Sequence, residues 1–256
     1  MLVRSWTEGA VAHVQLARPE ARNALDRPTI AALHAAVRDA GAAESVRCLV
    51  LSGEGVSFCA GGDLHAVRAQ TVEETVALNA ELLAAIAELE TLAVPSIAVL
   101  HGHVLGGGLE LALGCTLRVA DAEARLGLPE ARIGLIPGSG GMARLPHLIG
   151  RGAALRLLLT GEMIGAAEAL ALDLVQVCAP AGTAPEAAAA LAARIAENGP
   201  LAVRAILDVV REHAPAAVRD AIGDGVRRLP AILASADLRE GVEAFAERRP
   251  PGFTGR

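Results

Sequence analysis

The stretch "HGHVLGGGLELALGC", residues 101–115, decides how this chain is read. Its centre, "GGGLELALG" (106–114), runs three glycines into an apolar segment that carries one charge, Glu110. Between Val104 and Leu117 there is no other carboxylate or base. A strand, a glycine turn and a helix start, in that order, leave backbone N–H groups pointing outward without intrahelical partners. Glycine lets a ligand oxygen come close to that main chain. A glutamate in the first helical turn, between Leu109 and Leu111, is partly desolvated, and this raises its pKa toward the range of a working acid or base. The alternative is a carboxylate that only favours the positive end of its helix.

Upstream, "SFCAGGDL" (57–64) repeats the arrangement. Gly61 and Gly62 precede Asp63, a candidate N-cap, and an ordinary strand-to-helix turn is the alternative. Two such turns, each offering a free N–H after a buried strand, suit the two-donor stabilisation of an oxyanion. Downstream, "LGLPEARIGLIPGSGG" (126–141) places Glu130 behind Pro129 and ahead of another glycine-rich loop. Two carboxylates near glycine turns suit paired acid and base work, while Glu130 alone reads equally as a solvated loop charge.

Other motifs point elsewhere and weakly. "GSGGMA" (138–143) matches GxGxxA, but it lies mid-chain behind a proline-containing loop, not behind an opening strand. His101 and His103 share one face if 96–104 is a single strand, yet no third ligand follows at metal-site spacing. Arg22 in "RPEARNALD" (18–26) sits in a loop where a phosphate can meet it, and also where an arginine is simply solvated.

The pattern along the chain alternates β and α before turning helical. Residues around Glu8-Gly9 read as a hairpin, 28–41 as a helix capped by Asp26 or Thr29, and 46–53 as a buried strand. A long amphipathic helix covers 71–92, and a strand follows at 96–104. Two short strands are expected in 117–130, then almost wholly helix from about 152, with a linker at 180–187.

The 256 residues are 53% hydrophobic with only three phenylalanines and one tryptophan as aromatics, so small side chains must pack the elements closely. All 23 basic residues are arginine and tyrosine is absent. A GxxxxGK[ST] phosphate loop, a Schiff-base lysine and a Tyr/Lys dehydrogenase pair are thereby excluded. A net charge of −6 disfavours nucleic acid as a partner. Four widely spaced cysteines, with no CxxC, fit reduced thiols in a cytoplasmic protein. Neither a membrane span nor a signal peptide is read.

Taken together, "RPEARNAL" (18–25), "FCAGGDL" (58–64), "HGHVLGGGLELALGC" (101–115), "ADAEARLGLPEARIGLIPGSGG" (120–141) and "EGVEAFAERRPPGF" (240–253) resemble the crotonase superfamily, and within it the enoyl-CoA hydratases. The resemblance implies an α/β fold, a spiral of repeated ββα units over 1–195 with an acyl-CoA site. It implies a helical trimerisation region over 196–256, and a homotrimer or a hexamer built as a dimer of trimers. It implies a coenzyme A thioester as substrate, with no separate cofactor and no metal. Its carbonyl oxygen would sit between the N–H groups of Gly62 and Gly107, with Glu110 as water-activating base and Glu130 as proton donor. Coenzyme A contacts are implied for Arg22, Ala24, Ala60, Asp63 and Leu64, with Phe245 and Arg248 reaching a neighbouring subunit's ligand. Met142 and Ala143 depart from the Thr and Gln common in hydratases, which bears on substrate identity. Within this resemblance the rival activities are an enoyl-CoA isomerase and a specialised 3-hydroxyacyl-CoA dehydratase. A non-catalytic RNA-binding or scaffold protein is the rival from another class.

Overall fold

The computed structural model describes residues 1–63, 69–212 and 216–254. Strands β1 (Val3–Glu8) and β2 (Val11–Leu16) form the expected antiparallel hairpin, turning at Gly9 with φ +58°. β2 alternates, sending Ala12, Val14 and Leu16 into the core. Helix α1 (Arg27–Ala42) starts where the Asp26 side chain accepts the Thr29 N–H at 2.9 Å. Strand β3 (Cys48–Gly53) then runs parallel to β2 and is buried on both faces, as its unbroken apolar run requires. Helix α2 (Val72–Thr91) opens on a capping box: Glu74 N–H donates to the Thr71 hydroxyl, and Thr71 N–H donates to the Glu74 carboxylate.

The stretch 96–104 is not one strand. β4 (Ser96–Leu100) and β5 (His103–Leu105) are separated at Gly102, where φ is +53° and a β-carbon would lie 1.9 Å from the Val56 carbonyl. The chain bends there because only glycine fits, and β5 enters a second sheet. The chain again passes from the first sheet to the second between β6 (Leu117–Asp121) and β7 (Arg125–Gly127). β4 pairs with β6 and β5 with β7, both parallel, and an isolated bridge joins Cys59 to Val104. Successive units therefore stack as a spiral, each crossing from the first sheet to the second before entering its helix.

Two expectations for the later chain need correction. The stretch after 152, expected almost wholly helical, also carries two short strands: β8 (Ile164–Gly165) joins β7, and β9 (Val177–Ala179) adds a parallel edge to β6. Both are too short to show a period, and they exist because a neighbouring strand edge receives them. The supposed linker 180–187 is a turn leading into a helix, with Gly182 N–H donating to the Asp121 carboxylate and Ala184 fully buried.

The first sheet has strand order β1-β2-β3-β4-β6-β9 and the second β5-β7-β8. Helix α3 (Gly107–Leu113) follows β5, and a 3-10 turn (Pro129–Ile133) follows β7. Helices α4 (Gly141–Ile149), α5 (Arg151–Thr160) and α6 (Ala166–Ala171) complete the middle of the chain. Helix α7 (Ala184–Ala196) lays Ala184, Ala188 and Ala192 on the outer face of the first sheet, against Val50, Val99 and Val119. Alanine every fourth residue gives that close approach, which is how a core with few aromatics fills its space. Helices α8 (Pro200–Glu212), α9 (Ala216–Leu233) and α10 (Ala236–Glu247) end the chain. Leu229, Leu233, Leu238 and Val242 of α9 and α10 pack with Val72, Val76, Leu135 and Ile136, closing one side of the site described next. Among the described residues, no helix is long and apolar enough to cross a membrane.

Candidate active site

The two glycine turns meet. A parallel bridge joins Leu25 to Gly62: Leu25 N–H donates to the Gly61 carbonyl at 2.8 Å, and Asp63 N–H donates to the Leu25 carbonyl at 3.2 Å. This pairing leaves the Gly62 N–H on the opposite edge. Across from it stands Gly107, the first residue of α3, whose N–H belongs to the unpaired first turn. A β-carbon on Gly107 would be 3.8 Å from the Gly62 nitrogen. The preceding glycines are forced. Gly61 has φ +99° and would drive a β-carbon to 2.8 Å from the Leu105 carbonyl, and Gly106 has φ +52° with Glu130 Oε1 3.0 Å from its β-carbon position.

Both carboxylates reach the same cavity, of about 820 Å³, which Gly62 and Gly107 also line. Glu110 is 2% exposed, and its Oε1 accepts the N–H groups of Ser139 and Gly141, each at 2.8 Å. Burial raises its pKa, while the two N–H donors and the Arg144 charge pull it back down. Glu130 lies in the 3-10 turn and is 8% exposed, and its Oε2 is buried without a protein partner. Burial raises its pKa strongly and the neighbouring Glu110 charge raises it further. Of the two readings of Glu130, the solvated loop charge does not hold: it is a buried carboxyl whose pKa is raised by burial and by the neighbouring Glu110.

The cavity wall is mainly apolar, with Leu25, Leu78, Leu82 and Ile133 among its residues and Thr75 and Asn79 of α2 as polar points. Ala60, Phe245 and Arg248 also line it. Phe245 and Arg248, implied at a neighbouring subunit's ligand, border this chain's own cavity in the single chain, where α10 folds back onto the 3-10 turn with Gly241 packed on Ile133. Arg22 is exposed and off the cavity wall, and its carbonyl accepts the Ala60 N–H at 3.0 Å. Ala24 and Asp63 are also off the wall and are both engaged by Arg18, through the Ala24 carbonyl at 3.0 Å and the Asp63 carboxylate at 3.1 Å. Leu64 lies outside the described residues.

Sequence reasoning missed Arg18, the Ser139 and Gly141 amides and the Arg144 beside them. The signal for the amides was present in "GSGG", read there as a weak dinucleotide turn, whereas its backbone wraps the Glu110 carboxylate. The histidines do not share a strand face: His101 Nε2 contacts the Gly55 carbonyl and His103 Nδ1 the Ser57 hydroxyl. Among the described residues, no three His, Cys, Asp or Glu side chains gather as a metal site would need. Cys48, Cys59 and Cys115 are buried free thiols, each pushed up to about 12 by burial.

The chain has known relatives. Residues 7–256 match the family model described as enoyl-CoA hydratase/isomerase. The 2,3-dehydroadipyl-CoA hydratase of Escherichia coli K12 is 34% identical over 241 residues, covering 94% of each chain. The enoyl-CoA isomerase/hydratase fer4 of Mycosarcoma maydis is 34% identical over 255 residues, covering 96% of this chain and 93% of its own. The crystal structure of carnitinyl-CoA hydratase from Mycobacterium avium superposes with a TM-score of 0.89 at 36% identity, covering 100% of this chain and 99% of the other. The chain belongs to the enoyl-CoA hydratase/isomerase family. Its fold is the crotonase fold, a mixed α/β spiral followed by helices, and the family's members named here act on coenzyme A thioesters by their printed names.

Proposed function

We propose that this protein adds water across the C2=C3 bond of a trans-2-enoyl-CoA to give a 3-hydroxyacyl-CoA. The observation that carries the reading is that Glu110 and Glu130 line one cavity with the Gly62 and Gly107 amides. As water attacks C3, negative charge develops on the thioester oxygen, and two preorganised N–H donors stabilise it, each by about 3 kcal/mol. Glu110 holds and deprotonates the water: burial raises its pKa, which strengthens it as a base, while its two N–H bonds and the Arg144 charge oppose that rise and aim the carboxylate. Glu130 delivers the proton to C2. It has no donor on Oε2 and a raised pKa, which is the condition of a neutral acid at neutral pH. The reverse direction, dehydration of a 3-hydroxyacyl-CoA, uses the same groups with roles exchanged. Every step is performed by residues of this chain on the substrate.

Coenzyme A would enter past Ala60 and the Arg18-bound segment 24–26, with Phe245 and Arg248 closing over it. The acyl chain would lie toward Leu78, Leu82 and Asn79. The working form is proposed to be a homotrimer or hexamer in the cytoplasm, since Leu201, Ile206, Val209 and Val210 on α8 are all more than half exposed in one chain.

The deciding experiment is loss of the conjugated thioester absorbance of crotonyl-CoA, with wild type and Glu130→Gln run together. Rapid loss that vanishes in the variant supports hydration. Turnover of a 3-enoyl thioester without consumption of the 2-enoyl one would replace it by isomerisation.

A further inference from the structure

The loop 138–141 bends around two side chains at once. On its inner side, Ser139 N–H and Gly141 N–H both point at Glu110 Oε1. On its outer side, the Ser139 carbonyl accepts from Arg144 Nη1 at 2.8 Å. The peptide between the two donors is thus held by arginine in the orientation that sends its neighbours' N–H groups inward. Gly140 is fixed twice over: φ is +99°, and a β-carbon would fall 1.9 Å from Arg144 Nη1. Gly141 is fixed from the other side, its β-carbon position being 3.1 Å from Glu110 Oε1.

Arg144 is itself gripped. It is 4% exposed, and it donates from Nε to Glu90 Oε1 at 2.6 Å and from Nη2 to Glu90 Oε2 at 2.7 Å, a two-pronged pair. Glu90 stands in the last turn of α2, the negative end of that helix, where a carboxylate is disfavoured unless a cation meets it. A buried arginine is also costly to desolvate, and an apolar residue of similar size commonly gives equal stability.

We propose that Arg144, clamped by Glu90, is a positioning residue for Glu110: by holding the Ser139 carbonyl it keeps the Ser139 and Gly141 amides aimed at that carboxylate. The proposal rests on reading Glu110 as the water-activating base. It assigns the glycine-rich loop a task in place of nucleotide binding. The charged groups facing Glu110 are Glu130 from the 3-10 turn and Arg144 from α4, with Glu90 of α2 behind the arginine. From β5 comes only His103, whose ring meets the Ser57 hydroxyl.

The test reads Glu110 directly. Its δ-carbon, labelled and assigned by loss of the signal in Glu110→Gln, is titrated by NMR in wild type, Arg144→Lys and Arg144→Gln. Lysine keeps the charge but cannot hold Glu90 and Ser139 together in a planar fork, so the Glu110 midpoint should rise by about half a unit or more. It should rise further in Arg144→Gln, which lacks the charge as well. An Arg144→Lys midpoint equal to that of wild type overturns the proposal, since charge alone would then be acting. Should the buried variants not fold, Glu90→Gln, at a side chain 38% exposed, decides instead. Hydrogen exchange at the Ser139 and Gly141 amides should then quicken about tenfold or more while the rest of α4 is unchanged. Unaltered exchange there overturns the proposal equally. Neither readout uses turnover, so failure of wild type to hydrate crotonyl-CoA would count against the reaction and not against this clamp. Where turnover is present, kcat in Arg144→Lys should fall while KM stays within about twofold of wild type, the split expected when an aimed base is lost and binding is not.

Discussion

The Gly62 nitrogen lies 3.8 Å from the point a β-carbon on Gly107 would occupy, so two turns separated by more than forty residues of chain present their amides to one place. Only their backbones matter there, and the surroundings say which glycines are replaceable. Gly62 has open space at its β-carbon, whereas Gly61 has φ +99° and the Leu105 carbonyl in the way. Gly62→Ala should keep kcat within about threefold of wild type, as its N–H is untouched. Gly61→Ala should lower kcat by about tenfold or more, through backbone strain that turns the next N–H away. Steady-state kinetics on crotonyl-CoA separates the two, and equal behaviour would defeat the two-donor reading.

Glu110→Gln retains the shape of the side chain and removes the base. The expected loss in kcat is about 10²- to 10⁴-fold, the usual span for a general base, while thioester binding by calorimetry stays close to wild type. A variant that keeps both kcat and binding would remove Glu110 from the chemistry.

How much of this was legible in sequence depended on the range of each interaction. β3 and β4 were visible as apolar runs, and α2 as a long periodic helix, because each is written in contiguous residues. The break at Gly102 was not, since it is imposed by the Val56 carbonyl some forty-six positions earlier. β9 was missed for the same reason: Val177 to Ala179 become a strand only because β6 offers an edge. At the site, Glu110 stood out as a lone charge in an apolar run. Its partners Ser139 and Gly141, with Arg144 just after them, lie on one segment and Glu90 on another, and the chain pattern connects neither to Glu110. Phe245 and Arg248 were picked out by motif, and the packing of α10 on the 3-10 turn brings both to the cavity wall.

The exposed apolar residues of α8 give an assembly prediction. Ile206 and Val210 are four positions apart and therefore on one helix face, 64% and 67% exposed. Charging both, as Ile206→Glu with Val210→Glu, should reduce the light-scattering mass from three or six chains toward the 26.1 kDa of one. A wild type that is already monomeric would overturn the assembly, and an unchanged oligomer in the double variant would place the interface elsewhere.

Glu130 makes the stability of the protein depend on pH with a definite sign. Burial and the Glu110 charge raise its folded-state pKa above the ordinary 4.5. The unfolded chain releases that proton more readily than the folded one, so the folded state binds more protons over the interval between the two values. The stabilisation is full below the ordinary carboxylate range and is lost as pH rises through the raised folded value. Glu130→Gln does not titrate, and it also spares Glu110 a like-charged neighbour. The melting temperature of Glu130→Gln minus that of wild type should therefore grow steadily from about pH 5 to about pH 9. Scanning calorimetry on the two proteins across that range reads it directly. A flat difference would mean that Glu130 is solvated and ordinary, which would also remove the reason for assigning it the proton that goes to C2. A difference that shrinks with rising pH would mean that it is ion-paired, with the same consequence for its role.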